Sequence, residues 1–598
     1  MDQDKNLAHM FKTSATKFGN KPFMRFKKDG EWATLSYREV DRIVMDLAQG
    51  LLALGFKRGD RISLLSENRP YWAMMDLATQ CLGGILATIY ATNTPKECAY
   101  IINNSESRFV VVSNNNQLQK LISRKISLPT VEKIIIFDPI EGITDQDERV
   151  LSLKQLREMG RDYNKPEEVE QAIGKSTMDD VATLIYTSGT TGDPKGVMLT
   201  HGNFYSNVEA AMSVMPIEPE ESFLSFLPLS HSLERMAGHF TPMHIGATIS
   251  YAESIDAIRS NLQEVQPTAM ISVPRIYEKF HAAIMGKIES GGTVKRKLFA
   301  WAMKVGIEHS QRKIAKKGIS FLLQKQYDLA DALVFTKIKA NLGGKLRYAI
   351  SGGAPLSPEL FEFFWAMGME IYEGYGLTET SPVIAANTPD AVRRGTVGKV
   401  LPGVTVKIAD DGEILCKGPN VMKGYYKMDE ATAEAIVDGW FYTGDIGELD
   451  ADGFLTITDR KKDLIITAGG KNVAPQNIEN MLKLDRFIEQ VNIVGDRRKY
   501  LTAIIAPAFP ELEDFARDKG LTYTSNEELV ALPAVRELMQ QAIDRVNQEL
   551  AKYETIKKFY ISPVVFTQEN NMITPTMKVK RKKVTVFFAK EIEAMYEE

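Results

Sequence analysis

Short apolar runs rich in β-branched residues alternate with helix-length segments along most of this chain, and no other feature limits its folds as much. The runs 61–65, 109–112, 133–137, 182–186, 269–273 and 346–350 have the length and apolarity of strands buried on both faces. Segments 71–82, 204–215, 255–265 and 358–367 between them have helical length. Strands covered on both faces need flanking helices, so the alternation predicts βα units around mostly parallel sheets. Past residue 395 the pattern changes. Asp411-Gly412 and Asp452-Gly453 sit beside short strand-like runs at 404–408, 413–416 and 454–458, the signature of antiparallel hairpins.

A charged run, Asp459-Arg-Lys-Lys-Asp463, then opens a last part in which strands (491–494, 503–506, 558–562) mix with helices (511–519, 535–550). The expected fold is α/β. A large N-terminal domain of βα layers spans 1–459, with a β-rich subdomain at about 395–459, and a small mobile α+β C-terminal domain spans 460–598. The 598 residues exceed one ordinary core, which agrees with several bodies.

With 73 basic and 77 acidic side chains the net charge is −4, so no global basic field exists to hold nucleic acid. Cys81, Cys98 and Cys416 are sparse and lack CxxC spacing, which fits a reducing, cytoplasmic setting and neither a disulfide frame nor a zinc site. The start, Met1-Asp-Gln-Asp-Lys5, lacks a signal peptide's apolar region. The most apolar stretch, 74–92, is interrupted by Asp76 and Gln80 and reads as a buried helix running into a strand rather than a bilayer span.

One segment stands out by charge. Between Lys295 and Lys345 twelve basic residues face Glu308, Asp328 and Asp331, with Leu298, Phe299, Trp301, Val305, Phe321 and Leu322 at roughly helical spacing. Two readings follow: a solvated helical insertion, or a peripheral surface for anionic membrane at its inner face, resting on side chains such as Trp301 and Phe299.

The strongest chemical signal is Tyr186-Thr-Ser-Gly-Thr-Thr-Gly-Asp-Pro-Lys-Gly196, directly after an expected strand. Glycines let backbone N–H groups approach an anion, hydroxyls add donors and a lysine adds charge, so the composition suits polyphosphate. A Walker A loop is excluded, because Pro194 precedes Lys195 and Gly196 follows it.

This loop resembles the nucleotide-phosphate motif of the adenylate-forming superfamily, which includes acyl-CoA synthetases, peptide-synthetase adenylation domains and firefly luciferase. Further motifs follow in the family's order: Ser351-Gly-Gly-Ala-Pro355, Tyr372-Glu-Gly-Tyr-Gly-Leu-Thr-Glu-Thr380, Gly439-Trp-Phe-Tyr-Thr-Gly-Asp-Ile-Gly447, the run at 459–463, and Thr574-Pro-Thr-Met-Lys-Val-Lys-Arg581. The spelling of the last three, with the helical insertion, is similar to the long-chain fatty acyl-CoA synthetases.

The resemblance implies ATP, Mg²⁺ and coenzyme A as cofactor and co-substrates, and residue roles with them. Thr187, Ser188, Gly189, Thr190, Thr191, Gly192 and Lys195 cradle phosphate. Gly353, Glu373, Tyr375 and Gly376 lie on the adenine side, with Tyr375 stacking on the base. Thr378 touches the α-phosphate, and Glu379 with Thr187 holds the metal. Asp445 and Arg460 bind ribose, Lys462 is the hinge pivot, His231 sits beside the acyl carboxylate and Lys578 is the catalytic lysine. Many family members carry Gly where Met577 stands, which keeps Lys580 and Lys582 as alternatives to Lys578. His201 reads as structural, at a helix entry.

The implied activity is AMP-forming ligation of a long-chain fatty acid to CoA through an acyl-adenylate. The alternatives are an acyl-AMP ligase that loads a carrier protein, adenylation of another carboxylic acid, and a nucleotide-binding scaffold without turnover. No carrier segment follows Glu598, which weighs against a peptide synthetase. A homodimer is left open.

Overall fold

The computed structural model describes residues 6–122, 126–143, 147–187, 193–574 and 578–597. The apolar runs segregate into two large sheets, each parallel in its middle. In the first, Val181–Thr187, Ile85–Ile89, Arg61–Leu65, Phe109–Asn114, Lys133–Asp138 and Val150–Ser152 run parallel. Lys195–Thr200 and then Gly424–Tyr425 extend it antiparallel at one edge. In the second, Glu370–Gly376, Tyr348–Ser351, Ala269–Ser272, Ser222–Ser225, Thr248–Tyr251 and Pro22–Lys28 run parallel, with Val383–Ala386, Lys399–Val400 and Glu31–Ser36 as antiparallel edges.

The expected hairpins form a third, antiparallel sheet: Thr405–Ile408 pairs with Glu413–Lys417, and Trp440–Leu449 with Leu455–Arg460. Gly412 and Gly453 take φ of 83° and 82° in the two turns, a region open to glycine without strain. From Ile465 onward a separate core gathers around the strands Ile488–Val494, Leu501–Pro507 and Ile556–Ile561 and the helices Phe509–Asp518 and Pro533–Asn547.

The stretch 74–92 resolves as a helix and a strand. Every residue of helix Pro70–Cys81 except Tyr71 is buried, and its core cluster takes in side chains of both large sheets, among them Leu64, Phe109, Ile249 and Tyr251. Asp76 lies in this helix with no exposure, paired at 2.5 Å with the equally buried Arg235. Thr183 accepts a further hydrogen bond from Arg235 at 2.7 Å, and Gln80 donates to Asp76 at 2.9 Å.

The basic segment departs from the expectation. Phe299, Ala302 and Val305 of helix Thr293–Ile314 are buried, and Trp301 is half-buried against the same core. The helix crosses Pro358–Ala366 so closely that a Cβ on Gly306 would stand 2.3 Å from the Ala366 carbonyl oxygen. Phe299 therefore faces protein rather than a membrane, and Trp301 packs one side on the same core: their spacing is a core stripe, which sequence alone does not separate from an interfacial one.

Removing one member of a buried ion pair strands the other charge, at a cost of about 3–5 kcal/mol. Arg235→Met should lower the thermal unfolding midpoint clearly, and Asp76→Leu combined with Arg235→Met should recover much of the loss. A double variant no more stable than the single, in calorimetry, would show that the cost lies in packing.

Candidate active site

The phosphate loop closes an antiparallel hairpin, not a strand-to-helix turn. Strand Val181–Thr187 pairs with Lys195–Thr200 so that Thr187 lies opposite Lys195. Ser188, Gly189, Thr190, Thr191 and Gly192 lie outside the described residues. Lys195 is flanked by a residue that no motif singles out: its Nζ stands 4.7 Å from the centroid of the Tyr425 ring. The Tyr425 hydroxyl donates to Glu379 Oε1 at 3.0 Å. Backbone bonds fix this contact, with Tyr426 N donating to Gly196 O at 2.7 Å and Met422 N to Glu379 O at 2.8 Å. One ring thus joins the phosphate lysine to the expected metal carboxylate. Gly424-Tyr425-Tyr426 carries no charge or spacing signal, and only the pairing of Gly424–Tyr425 with Lys195–Thr200 brings it here.

On the adenine side, strand Glu370–Gly376 carries Glu373, Tyr375 and Gly376. Gly376 has no alternative, since a Cβ would lie 1.7 Å from the Pro382 carbonyl oxygen. Tyr375 donates to Asp445 Oδ2 at 2.7 Å, and Arg460 Nε lies 3.1 Å from Asp445 Oδ1. Asp445 and Arg460 stand opposite each other in the Trp440–Leu449 and Leu455–Arg460 pair. Burial raises the Asp445 pKa, against the pull of Arg460. Glu373 is buried and accepts from Leu356 N at 3.1 Å, and burial raises its pKa to about 8. Its carboxyl thus supports the loop that begins at Gly352 and Gly353, whose φ is 78°.

His231 lies in the loop that ties the two large sheets. Ser230 donates to Ile89 O at 3.1 Å, and Asn68 accepts from Leu229 N at 2.8 Å. Leu233 N donates to His231 Nδ1 at 3.2 Å, which leaves the proton of the neutral ring on Nε2. Burial, with Lys578 adding to it, lowers the His231 pKa to about 4, so the ring is neutral near pH 7. The next residue, Ser232, reaches Thr378 Oγ1 at 3.5 Å. His201 is buried at a helix start, accepts from Leu7 N at 3.3 Å and is neutral for the same reason.

Lys578 is exposed to solvent, yet protein crowds it. That crowding and the Arg460 guanidinium lower its pKa to about 8, against Asp445 and Asp463. Of the three candidate lysines it is the one whose charge bears on both Asp445 and His231. Lys580 instead binds the Asn571 side chain. Lys462 is exposed at the head of a tight turn, in which Asp463 N and Leu464 N both donate to Arg460 O, at 2.9 and 3.0 Å.

Beyond the turn, charges bridge the large body and the C-terminal part. Glu278 of helix Pro274–Glu289 lies 3.0 Å from Arg275 and 3.6 Å from Lys483, Arg275 also pairs with Glu489, and Arg486 lies 3.4 Å from Glu289. In this arrangement Lys578 faces the cleft.

For a divalent ion, Glu379 has a half-buried carboxylate with one oxygen engaged by Tyr425, and Thr187 ends the strand beside Lys195. Among the described residues no group of three or more His, Cys, Asp or Glu could form an all-protein cage. One carboxylate and a hydroxyl fit Mg²⁺, which fills its remaining positions with phosphate oxygens and water.

Residues 11–426 match the AMP-binding enzyme family, and 462–598 match the AMP-binding enzyme C-terminal domain. The chain is 36% identical over 571 residues to the long-chain-fatty-acid–CoA ligase FadD15 of Mycobacterium bovis, covering 95% of this chain and 93% of that one. It is 33% identical to the long-chain-fatty-acid–CoA ligase ACSBG1 of Bos taurus, covering 99% and 85%. Among solved structures, the adenylation domain of a carboxylate reductase from Mycobacterium chelonae superposes with a TM-score of 0.80 at 22% identity, covering 99% of this chain and 91% of that one. The chain belongs to the AMP-binding enzyme family.

Proposed function

We propose that this chain is an AMP-forming, Mg²⁺-dependent long-chain fatty acid:CoA ligase that works in the cytoplasm as two bodies, 1–459 and 460–598, hinged at Lys462. The observation that carries the reading is the convergence of Lys195, Glu379, Asp445, Arg460 and Lys578 on one cleft, each from a different segment of the chain. Relatives named as long-chain-fatty-acid–CoA ligases over nearly the whole length support it.

A carboxylate is a poor acyl donor because oxide would have to leave; as an acyl-adenylate it expels AMP instead. In the first half-reaction a carboxylate oxygen of the fatty acid attacks the α-phosphorus of ATP and pyrophosphate departs. Lys195 and Lys578 neutralise the charge that grows on the phosphate oxygens. Mg²⁺, when held by Glu379 and Thr187, supplies further positive charge to those oxygens. Asp445, with Arg460 against it, accepts from the ribose hydroxyls, and the Tyr375 ring stacks on adenine. His231 Nε2–H, neutral at working pH, offers a donor to the acyl carboxylate. In the second half-reaction the CoA thiolate attacks the acyl carbon and AMP leaves. In that step no pentavalent phosphorus forms and the charge develops on the acyl oxygen and on the departing AMP, so on this reading the C-terminal body, with Lys578, is free to turn away. Any contact with a membrane is peripheral on this reading, since among the described residues no helix is long and apolar enough to cross one.

A fatty acyl-AMP ligase that loads a carrier shares the first half-reaction, so the thiol acceptor discriminates. Incubation with ATP, C12–C18 acids and CoA should yield AMP, pyrophosphate and acyl-CoA in equal amounts. ADP as the product would overturn the reading, and acyl-adenylate without acyl-CoA would favour the carrier-loading alternative.

Lys578→Ala should slow adenylation by roughly 10²–10³, the cost of losing one stabiliser of developing charge. Thioester formation from supplied acyl-AMP should barely change. In the wild type the Lys578 charge is present below its pKa of about 8 and is lost as pH rises through it, so adenylation should decline above pH 8. An equal decline in the variant would assign the pH effect to another group.

Tyr425→Phe keeps the ring beside Lys195 and deletes only the hydroxyl that holds Glu379. Such a bond to a charged group is worth about 1.5–3 kcal/mol. Adenylation should fall about 10- to 100-fold at limiting Mg²⁺ and recover in part as Mg²⁺ is raised. A loss that no Mg²⁺ concentration alters would remove Tyr425 from this role.

A further inference from the structure

Lys578 begins the second arm of a short hairpin, and what holds the base of that hairpin lies outside the catalytic set. The two arms meet through an antiparallel bridge between Ile573 and Val579. Thr574 N donates to Lys578 O at 2.8 Å, Lys578 N to Thr574 Oγ1 at 3.0 Å, and Lys580 N to Met572 O at 2.7 Å. These bonds shape the hairpin without fixing how it is set on the C-terminal body. The next residue, Arg581, opens helix Arg581–Phe587 and supplies that link. Its guanidinium donates from Nη1 to Glu479 Oε1 at 2.6 Å and from Nη2 to Glu479 Oε2 at 2.5 Å, a two-bond fork.

Glu479 ties several elements at once. Its side chain, 5% exposed, belongs to helix Pro475–Leu482, and Oε1 also accepts from Ile493 N of strand Ile488–Val494 at 2.8 Å. One carboxylate thus joins a helix, a strand and the base of the hairpin. From the other side, Arg581 is drawn by Asp459, at the end of the large body's strand Leu455–Arg460, and by Asp463 in the turn that follows Lys462. The arginine therefore stands at the seam between the two bodies, close in sequence to Lys578. A buried ion pair is a poor source of stability, because desolvation offsets most of its attraction, but a two-bond fork allows few geometries and is a good way to fix a direction.

We propose that the Glu479–Arg581 fork is the positioning device for Lys578, holding the base of its hairpin so that the ammonium group reaches the cleft for adenylation. This rests on the ligase reading above and adds to it two residues that touch no substrate. Lys578 is exposed to solvent, so where its charge arrives depends on the direction in which its backbone is pointed. The competing reading makes the fork a staple of the C-terminal core with no bearing on either half-reaction in particular.

Two variants separate these readings. Arg581→Lys keeps the charge and loses the fork, and Glu479→Gln keeps the shape and loses the carboxylate. In single-turnover assays with ATP and a C16 acid, each should slow acyl-adenylate formation by about 10- to 100-fold, the scale on which a displacement of about 1 Å costs rate. Thioester formation from supplied acyl-AMP and CoA should change by no more than about twofold, which also shows that the variants are folded. Arg581→Lys added to Lys578→Ala should cost nothing further, whereas independent losses multiply.

Labelling reads the lysine itself, without turnover. In the wild type the Lys578 pKa is about 8, because protein crowds it and Arg460 repels its charge, against Asp445 and Asp463. Its acylation by acetic anhydride, followed across pH by mass spectrometry, should report that value. In Arg581→Lys the profile should lie at least about one pH unit higher, since an ammonium group swung into water regains the ordinary lysine value of about 10.4. Equal loss in both half-reactions, multiplying losses in the double variant, or an unmoved labelling profile would overturn the proposal and leave the fork a staple of the core. A wild type that forms no acyl-adenylate, with the labelling profile moved as stated, would remove the ligase reading and leave the positioning of Lys578 standing.

Discussion

Burying two opposite charges in the middle of a core is expensive, and this fold is arranged around doing so. The Asp76 carboxylate and Arg235 guanidinium, both without exposure, are offset by a two-contact pairing, by Thr183 and Gln80, and by the rings of Trp72, Phe204 and Phe240 at 5.5 to 5.7 Å. The partners come from the buried helix, from the sheet that bears the phosphate loop, and from the π-helix Glu234–Phe240 just after His231. An ion pair with so little freedom of geometry fixes how these pieces meet. Arg235 N also donates to His231 O at 3.1 Å, which joins the pair to the loop that carries His231 and Ser232.

The central parallel strands and the two Asp-Gly hairpins were legible because each depends on local pattern: continuous apolar runs for strands covered on both faces, and residues able to take positive φ for the turns. What long-range pairing decides was not legible. Strand Lys195–Thr200 turns the phosphate loop into a hairpin, and nothing in Gly-Val-Met-Leu distinguishes an antiparallel edge from another parallel strand. Tyr425 is the sharpest case, a tyrosine whose role comes wholly from the strand beside which it pairs. The basic segment is a different case: periodicity states only that a helix has an apolar side, and Phe299 is buried whereas Phe321 is exposed.

In the site, motif order gave the residue types, and the fold adds how they constrain one another. Asp445 is held between Tyr375 and Arg460, and Glu379 is held by Tyr425. Each carboxylate is buried enough for its pKa to rise and is kept useful by a specific donor. Burial raises the strength of every interaction made with a ligand in the cleft, and the donors offset its cost to the empty protein.

The charges that join Arg275, Glu278 and Glu289 to Lys483, Arg486 and Glu489 span the only covalent link that passes through Lys462. Arg486 and Glu289 are open to water, a kind of pair worth on the order of 0.2–1 kcal/mol and screened by salt, whereas Arg275, Glu278 and Lys483 are largely buried and screened less. On the proposed hinge at Lys462 this clasp of charges biases where the C-terminal body rests, and ionic strength, acting on its open pair, becomes a dial on the occupancy of one posture.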